Sequence, residues 1–259
     1  MAAQEHSPAS SSSSSSSPSS ALTIHWGSGS PYAWACLIAA EEKGLPYQDK
    51  LLSFSEGEHK RPDYLAMNPR GKVPVLTDGP VVLYESQAIL HYLEATYPAH
   101  PLLPSATETL AKTYTRMAEC SYLGSVYQEE HVRAVTKARQ QQTDTEGSSS
   151  ELSAEDIAAA SKVIHQEYAF WEEYLKKAAA SSSSEEKQQP VFLNGESFSL
   201  ADASFYPFVA LMVRYGFNFE KSFPALHAYY LAHKQRPSIQ KTWPPHWKDS
   251  PDKNWLSDL

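Results

Sequence analysis

The chain has 259 residues, 41% of them hydrophobic, and a formal net charge of -8, so it has material for one large or two modest cores. The acidic balance excludes broad binding to nucleic acid or to an anionic membrane, each of which needs a basic face, and no apolar run reaches the length of a bilayer span. Its two cysteines, Cys36 and Cys120, make neither a disulfide framework nor a zinc-ligand spacing, which favours a reducing, cytoplasmic setting without a metal.

Met1 to Ser20 is dominated by serine and contains no Lys or Arg. It lacks the arginines of a transit peptide and the apolar core of a secretory signal, and reads as a disordered tail with nothing to bury. Leu22–Trp26 is expected as a strand, Pro31–Gly44 as a loop leading into a helix, Tyr47–Ser53 as a second strand and Pro62–Met67 as a short helix. The segment NPRGKVPVLTDGPVVLYES, Asn68 to Ser86, is richer in signals. Val73, Val75 and Leu76 form an apolar run, Asp78-Gly79 is a strong hairpin turn, and Val81, Val82 and Leu83 return. Beyond Tyr84 the period becomes helical, through Ile89, Leu90, Tyr92 and Leu93, which puts Glu85 and Ser86 at a helix start. Unpaired N–H groups and the positive end of the helix dipole favour a bound carboxylate there.

Residues 21–97 thus read as a βαβαββα unit. YPAHPLLP then breaks the periodicity with three prolines and marks a linker over 98–105. From 106 to 248 the pattern is helical: Leu110, Tyr114 and Met117 share one face, and Ile157, Ile164, Tyr168, Trp171 and Leu175 line a long stripe. Ser153 with Asp156, and Ser199 with Asp202, match capping boxes. Gln140–Ser150 and Ala178–Gln189 read as expanded surface loops, and 249–259 as a C-terminal tail. Arg133, Lys137 and Arg139 read as a solvated helix edge.

Several chemistries fail on spacing. Tyr32 stands where a GxGxxG dinucleotide loop needs its third glycine, no GxSxG elbow occurs, and ten histidines fall without a metal-ligand spacing.

The order of elements, together with WGSGSP after the first strand, NPRGKVPVL, the YES step and FSLADASFYP, resembles the soluble (cytosolic) glutathione S-transferases from Leu22 to Trp247. RPSIQKTWPPHW and LLSFSEGEHK look most like the rho class of fish, with theta and zeta classes more distant. The resemblance implies an α/β thioredoxin-like N-terminal domain followed by an all-α C-terminal domain. It also implies a homodimer that conjugates the thiolate of glutathione to a hydrophobic electrophile in detoxification.

Residue by residue, the resemblance places the catalytic hydroxyl on Ser30, with Ser28 and Tyr32 as neighbouring alternatives. Ala35 occupies the position where serine-type members carry an Arg. Glu85 and Ser86 match the pair that holds the γ-glutamyl end, and Val73, joined to Pro74 by a cis bond, would pair its backbone with the cysteinyl moiety. His59 and Lys72, or Lys60 in place of His59, match groups that meet the glycyl carboxylate. Tyr114, Met117 and Trp26 are the candidates for the electrophile pocket. Two other readings stay open: a glutathione-dependent reductase, peroxidase or isomerase, and a non-catalytic glutathione-binding module. Cys36, inside the first helix, and the lack of a Ser-Ser-Cys step in SPYAW weigh against the first, and the intact set of Ser30, Val73, Pro74, Glu85 and Ser86 against the second.

Overall fold

The computed structural model describes residues 21–144, 153–181, 190–250 and 252–259. The serine-rich Met1–Ser20 segment lies outside the described residues. Strand β1 (Thr23–Trp26) runs parallel to β2 (Gln48–Leu51), with Thr23 opposite Gln48 and Trp26 opposite Leu51. Helix α1 (Pro31–Glu42) makes the crossover that a parallel pair requires. After α2 (Pro62–Met67), β3 (Val75–Asp78) and β4 (Val81–Tyr84) form the hairpin, and β3 lies antiparallel to β1. The sheet order is β2-β1-β3-β4. Gly79 supplies the positive φ, +56°, that the turn needs. Helix α3 (Ser86–Thr96) leaves directly from β4.

The helical half comprises α4 (Thr107–Tyr122), a π-helical stretch over Leu123–Val132, α5 (Arg133–Asp144), α6 (Ala154–Ser181), α7 (Leu200–Arg214), α8 (Phe219–Ser222), α9 (Pro224–Lys234), α10 (Pro237–Lys241) and α11 (Pro245–Asp249). Every residue of α1 from Ala33 to Ala40 is buried, because the helix packs on both the sheet and α7. A helix apolar all round fits such a position. Trp34 meets Tyr206 of α7, Trp243 and Trp247 edge-on, at 5.3–5.7 Å between centroids. These aromatic contacts weld the sheet unit to the helical one.

The structure departs from the sequence reading in four places. The buried face of α4 is Thr109, Thr113, Met117 and Cys120, so Tyr114 is turned away and stays 42% exposed. The two buried threonines were masked by their polarity, yet both are satisfied. Thr113 Oγ1 donates to the Thr109 carbonyl at 2.9 Å and Thr109 Oγ1 to Glu196 at 2.8 Å.

The stretches expected as loops begin as helix: α5 continues to Asp144 and α6 to Ser181, since Gln and Ala are good helix formers. Their remainders, 145–150 and 182–189, lie outside the described residues. The segment after α11 is docked rather than trailing, with Leu256 fully buried and its N–H donating to the Tyr215 carbonyl at 2.8 Å. Arg139 is not a solvated edge, because its guanidinium holds Asp258 through two bonds of 2.6 and 2.8 Å.

Candidate active site

The turn before Pro74 is pinned by side chains. The Lys72 carbonyl accepts from Asn68 Nδ2 at 2.7 Å and from the Tyr64 hydroxyl at 2.8 Å. Lys60 Nζ donates to the Arg70 and Gly71 carbonyls at 3.2 and 2.9 Å. Gly71 has φ +57°, and a Cβ there would sit 2.8 Å from the His59 carbonyl oxygen, so the turn admits only glycine. The Val73–Pro74 bond that follows is cis.

A cavity of about 460 Å³ opens beside this turn, where Lys72, Val73, Pro74, Glu85 and Ser86 come together. Glu85 has φ 72° and ψ 117°, a region that costs a non-glycine residue about 1–3 kcal/mol and is held only where the surroundings demand it. It occupies the N-cap position of α3, yet its carboxylate makes no capping bond. Ser86 is the first residue of α3 and nearly buried, and its carbonyl accepts the Cys36 thiol proton at 3.8 Å.

A second cavity, of about 410 Å³, adjoins the Gly27–Ser30 loop and is walled by Phe54, Phe208, Leu211 and Tyr215. Ser30 lines it from the N-cap of α1, where Pro31 presets the first helical φ. Ser30 Oγ accepts from the Ala33 N–H at 3.4 Å. A hydroxyl has one proton and two lone pairs, so this capping role leaves the Ser30 proton available to a ligand. Ser28 is engaged elsewhere, 2.5 Å from His246 Nδ1. Tyr32 lines both cavities and packs edge-on against Phe208 at 5.4 Å. A Cβ on Gly124 would run into the Tyr32 hydroxyl.

Other residues singled out from the sequence are not among those lining either cavity. The His59 ring is edge-on to Phe54 at 5.0 Å, and its Nδ1 is buried with no partner among the described residues. Lys60 is occupied by the turn. Met117 is core, 1% exposed, and Tyr114 leans on His91 at 5.5 Å, as the rotation of α4 requires. Trp26 faces a different cavity, with Leu37 and Trp243. Asn68, Gln87, Ser121 and Ser125 line the first cavity without having been foreseen. The small residues Ser121, Gly124 and Ser125 sit at helical spacing in SYLGS, a signal of close approach that was there to be used.

A βαβαββα sheet unit with a cis-proline turn beside the start of α3, followed by helices packed on α1, defines the glutathione-transferase class of fold. This chain belongs to the glutathione S-transferase family: residues 29–96 match the model of its N-terminal domain and residues 154–232 that of its C-terminal domain. It is 38% identical over 247 residues to glutathione S-transferase A of Pleuronectes platessa, spanning 92% of this chain and 98% of that one. The crystal structure of a glutathione S-transferase from the Antarctic clam Laternula elliptica superposes with a TM-score of 0.77 at 38% identity, covering 92% of this chain and 99% of the other. A glutathione transferase homologue from Sulfitobacter, solved with bound glutathione, is 26% identical with a TM-score of 0.60, covering 85% and 96%.

Proposed function

We propose that this protein is a serine-type glutathione transferase, joining the glutathione sulfur to an electrophilic carbon of a hydrophobic small molecule. The observation that carries this reading is the convergence of Lys72, Val73, Pro74, Glu85 and Ser86 on one cavity, adjoining a second that Ser30 lines. Glutathione would place its γ-glutamyl ammonium on the Glu85 carboxylate and its γ-glutamyl carboxylate on the Ser86 hydroxyl and the start of α3. Its cysteinyl backbone would lie along Val73 and its glycyl carboxylate near Lys72. His59, whose carbonyl abuts Gly71 and whose ring packs on Phe54, is the second candidate for the glycyl carboxylate.

The thiol needs modest help. A free thiol with a pKa of about 8.5 is only about 3% thiolate at pH 7. Lowering it by about 1.5 units takes about 2 kcal/mol, which one hydrogen bond to a charged acceptor supplies at about 1.5–3 kcal/mol. Ser30 has that proton to give. The thiolate attacks a carbon of the electrophile, whose apolar body the second cavity with Phe208, Leu211 and Tyr215 suits; the S–C bond forms, and the bond to the leaving group breaks with its electron pair going to that group.

A cysteine-type reductase is disfavoured, because Cys36 is fully buried and burial drives its thiol far above the usual range. Turnover of a chloro-nitroaromatic with glutathione tests the proposal, and tight glutathione binding without turnover would support a binding module instead. Two copies are expected to assemble, as sedimentation would measure.

Ser86→Ala should weaken glutathione binding by about 1.5–3 kcal/mol, the loss of a hydrogen bond to a charged group. Calorimetry measures it, and an unchanged Kd would remove Ser86 from the binding set.

A further inference from the structure

We propose that His246 is a positioning residue for the thiol chemistry, holding the Gly27–Ser30 loop in place through the Ser28 hydroxyl. The inference rests on the reading above that Ser30 activates the thiol. Ser28 Oγ and His246 Nδ1 are 2.5 Å apart across 218 residues of sequence, which ties the loop after β1 to α11 near the other end of the chain. The contact continues along the backbone. Gly29 has φ +83°, and a Cβ there would lie 2.9 Å from His246 Cε1 and 3.3 Å from Trp247 Nε1. Because the Ser30 N–H donates to the Gly27 carbonyl at 3.1 Å, the loop is a closed turn, and a displaced Ser28 carries Ser30 with it.

Helix α11 is itself anchored. Trp247 packs edge-on against Trp34 of α1 at 5.5 Å. Ser250 Oγ donates to the His246 carbonyl at 2.8 Å, and Arg214 of α7 donates to the Ser250 carbonyl at 2.8 Å and to Asp252 at 2.9 Å. A continuous set of bonds thus runs from α7 through Ser250 and His246 to the loop bearing Ser30.

The ring has the protonation state this role needs. Burial first, then the Arg214 cation, lowers the His246 pKa below its ordinary value, with Asp249 opposing. The loop itself carries no charge. At neutral pH the ring is therefore uncharged, and its Nδ1 shares one hydrogen bond with the Ser28 hydroxyl.

The test measures kcat, glutathione affinity and the pH titration of the bound thiol in Ser28→Ala, His246→Ala, their combination, and Ser30→Ala. In each of Ser28→Ala and His246→Ala the thiol titration should move alkaline, and kcat near pH 6.5 should fall about two- to tenfold, the range for one ordinary hydrogen bond. Glutathione affinity should hold. The double variant should be no worse than either single one, since both remove the same contact. His246→Asn, whose side-chain amide can set either an acceptor or a donor near the place of Nδ1, should restore most of the loss.

Additive effects in the double variant would overturn the proposal, as would a lowered melting temperature in His246→Ala with the thiol titration unmoved. If Ser30→Ala shifts the titration and His246→Ala does not, the positioning role alone fails. If Ser30→Ala also leaves it unmoved, the serine-type reading fails first.

Discussion

Ser30→Ala should leave glutathione affinity nearly intact while moving the titration of the bound thiol to higher pH. The hydroxyl donates to the sulfur only when the sulfur is charged, so it stabilises one protonation state and not the other. A loss of about 1.4–2.7 kcal/mol from the thiolate translates into a turnover lower by about ten- to a hundredfold near neutral pH, recovered progressively in alkaline buffer. Ser30 also caps α1, through a bond from the Ala33 N–H that is long, at 3.4 Å. The stability cost of losing it should therefore lie near the low end of the range for an N-cap, about 0.5–2 kcal/mol.

Tyr32 is the decisive control for that result, because its side chain borders both cavities and a phenol is an intrinsically stronger donor than an aliphatic hydroxyl. Tyr32→Phe should keep the thiol titration of the wild type. A shift in Tyr32→Phe with none in Ser30→Ala would transfer the catalytic role to the phenol. The readout is the thiolate absorbance of the complex titrated against pH, which separates the two without reliance on rates.

Local chemistry made much of the sheet unit legible. Asp78-Gly79 announced the hairpin, Pro62 the start of α2, and the change of period after Tyr84 the start of α3, because each depends on residues adjacent in sequence. Both capping boxes were legible for the same reason: Ser153 N donates to Asp156 at 3.2 Å and Asp156 N to Ser153 Oγ at 3.1 Å.

What was hidden depends on tertiary packing. Nothing in the identity of Glu85 announces a φ of 72°, since glutamate has no preference for that region. The buried face of α4 is hidden in the sequence because buried Thr109 and Thr113 are polar residue types while exposed Tyr114 is an aromatic one. The approach of His246 to Ser28 joins segments with no local signal in common. Within the candidate site, Glu85 and Ser86 were legible from the helix start, whereas the packing of the His59 ring on Phe54 follows from how its turn folds.

Replacing Asp202 should have the largest effect on stability among single changes at the start of α7. Its carboxylate is fully buried and accepts from the Leu193 N–H at 2.9 Å, the Ser199 N–H at 3.0 Å, the Ser199 hydroxyl at 2.9 Å and the Tyr229 hydroxyl at 3.3 Å. One side chain thereby joins the segment before α7, the cap of α7 and helix α9. Asp202→Ala strands two buried backbone N–H groups, so a loss of about 3–5 kcal/mol is expected. Melting should fall by about 6–20 °C for a domain of this size.

The pH dependence around Asp202 gives a second measurement. Burial raises the Asp202 pKa from 3.8 to about 6, outweighing the hydrogen bonds from Leu193, Ser199 and Tyr229 that lower it. Between about pH 4 and 6 the folded protein keeps a proton that the unfolded chain has released, so this group's contribution to stability falls as pH rises through that window. His233, 3.9 Å from Asp202 Oδ1, acts in the opposite sense. Burial lowers its pKa to about 3, so the unfolded chain binds the extra proton and stability rises with pH from about 3 to 6.5.

The two are therefore not an ion pair, and their slopes oppose each other in the wild type. Asp202→Asn removes one slope and keeps the other. The stability advantage of wild type over Asp202→Asn should narrow as pH rises from 4 to 6, measured by denaturant unfolding at each pH. An advantage that widens over that interval would mean the hydrogen bonds, and not burial, dominate the carboxylate.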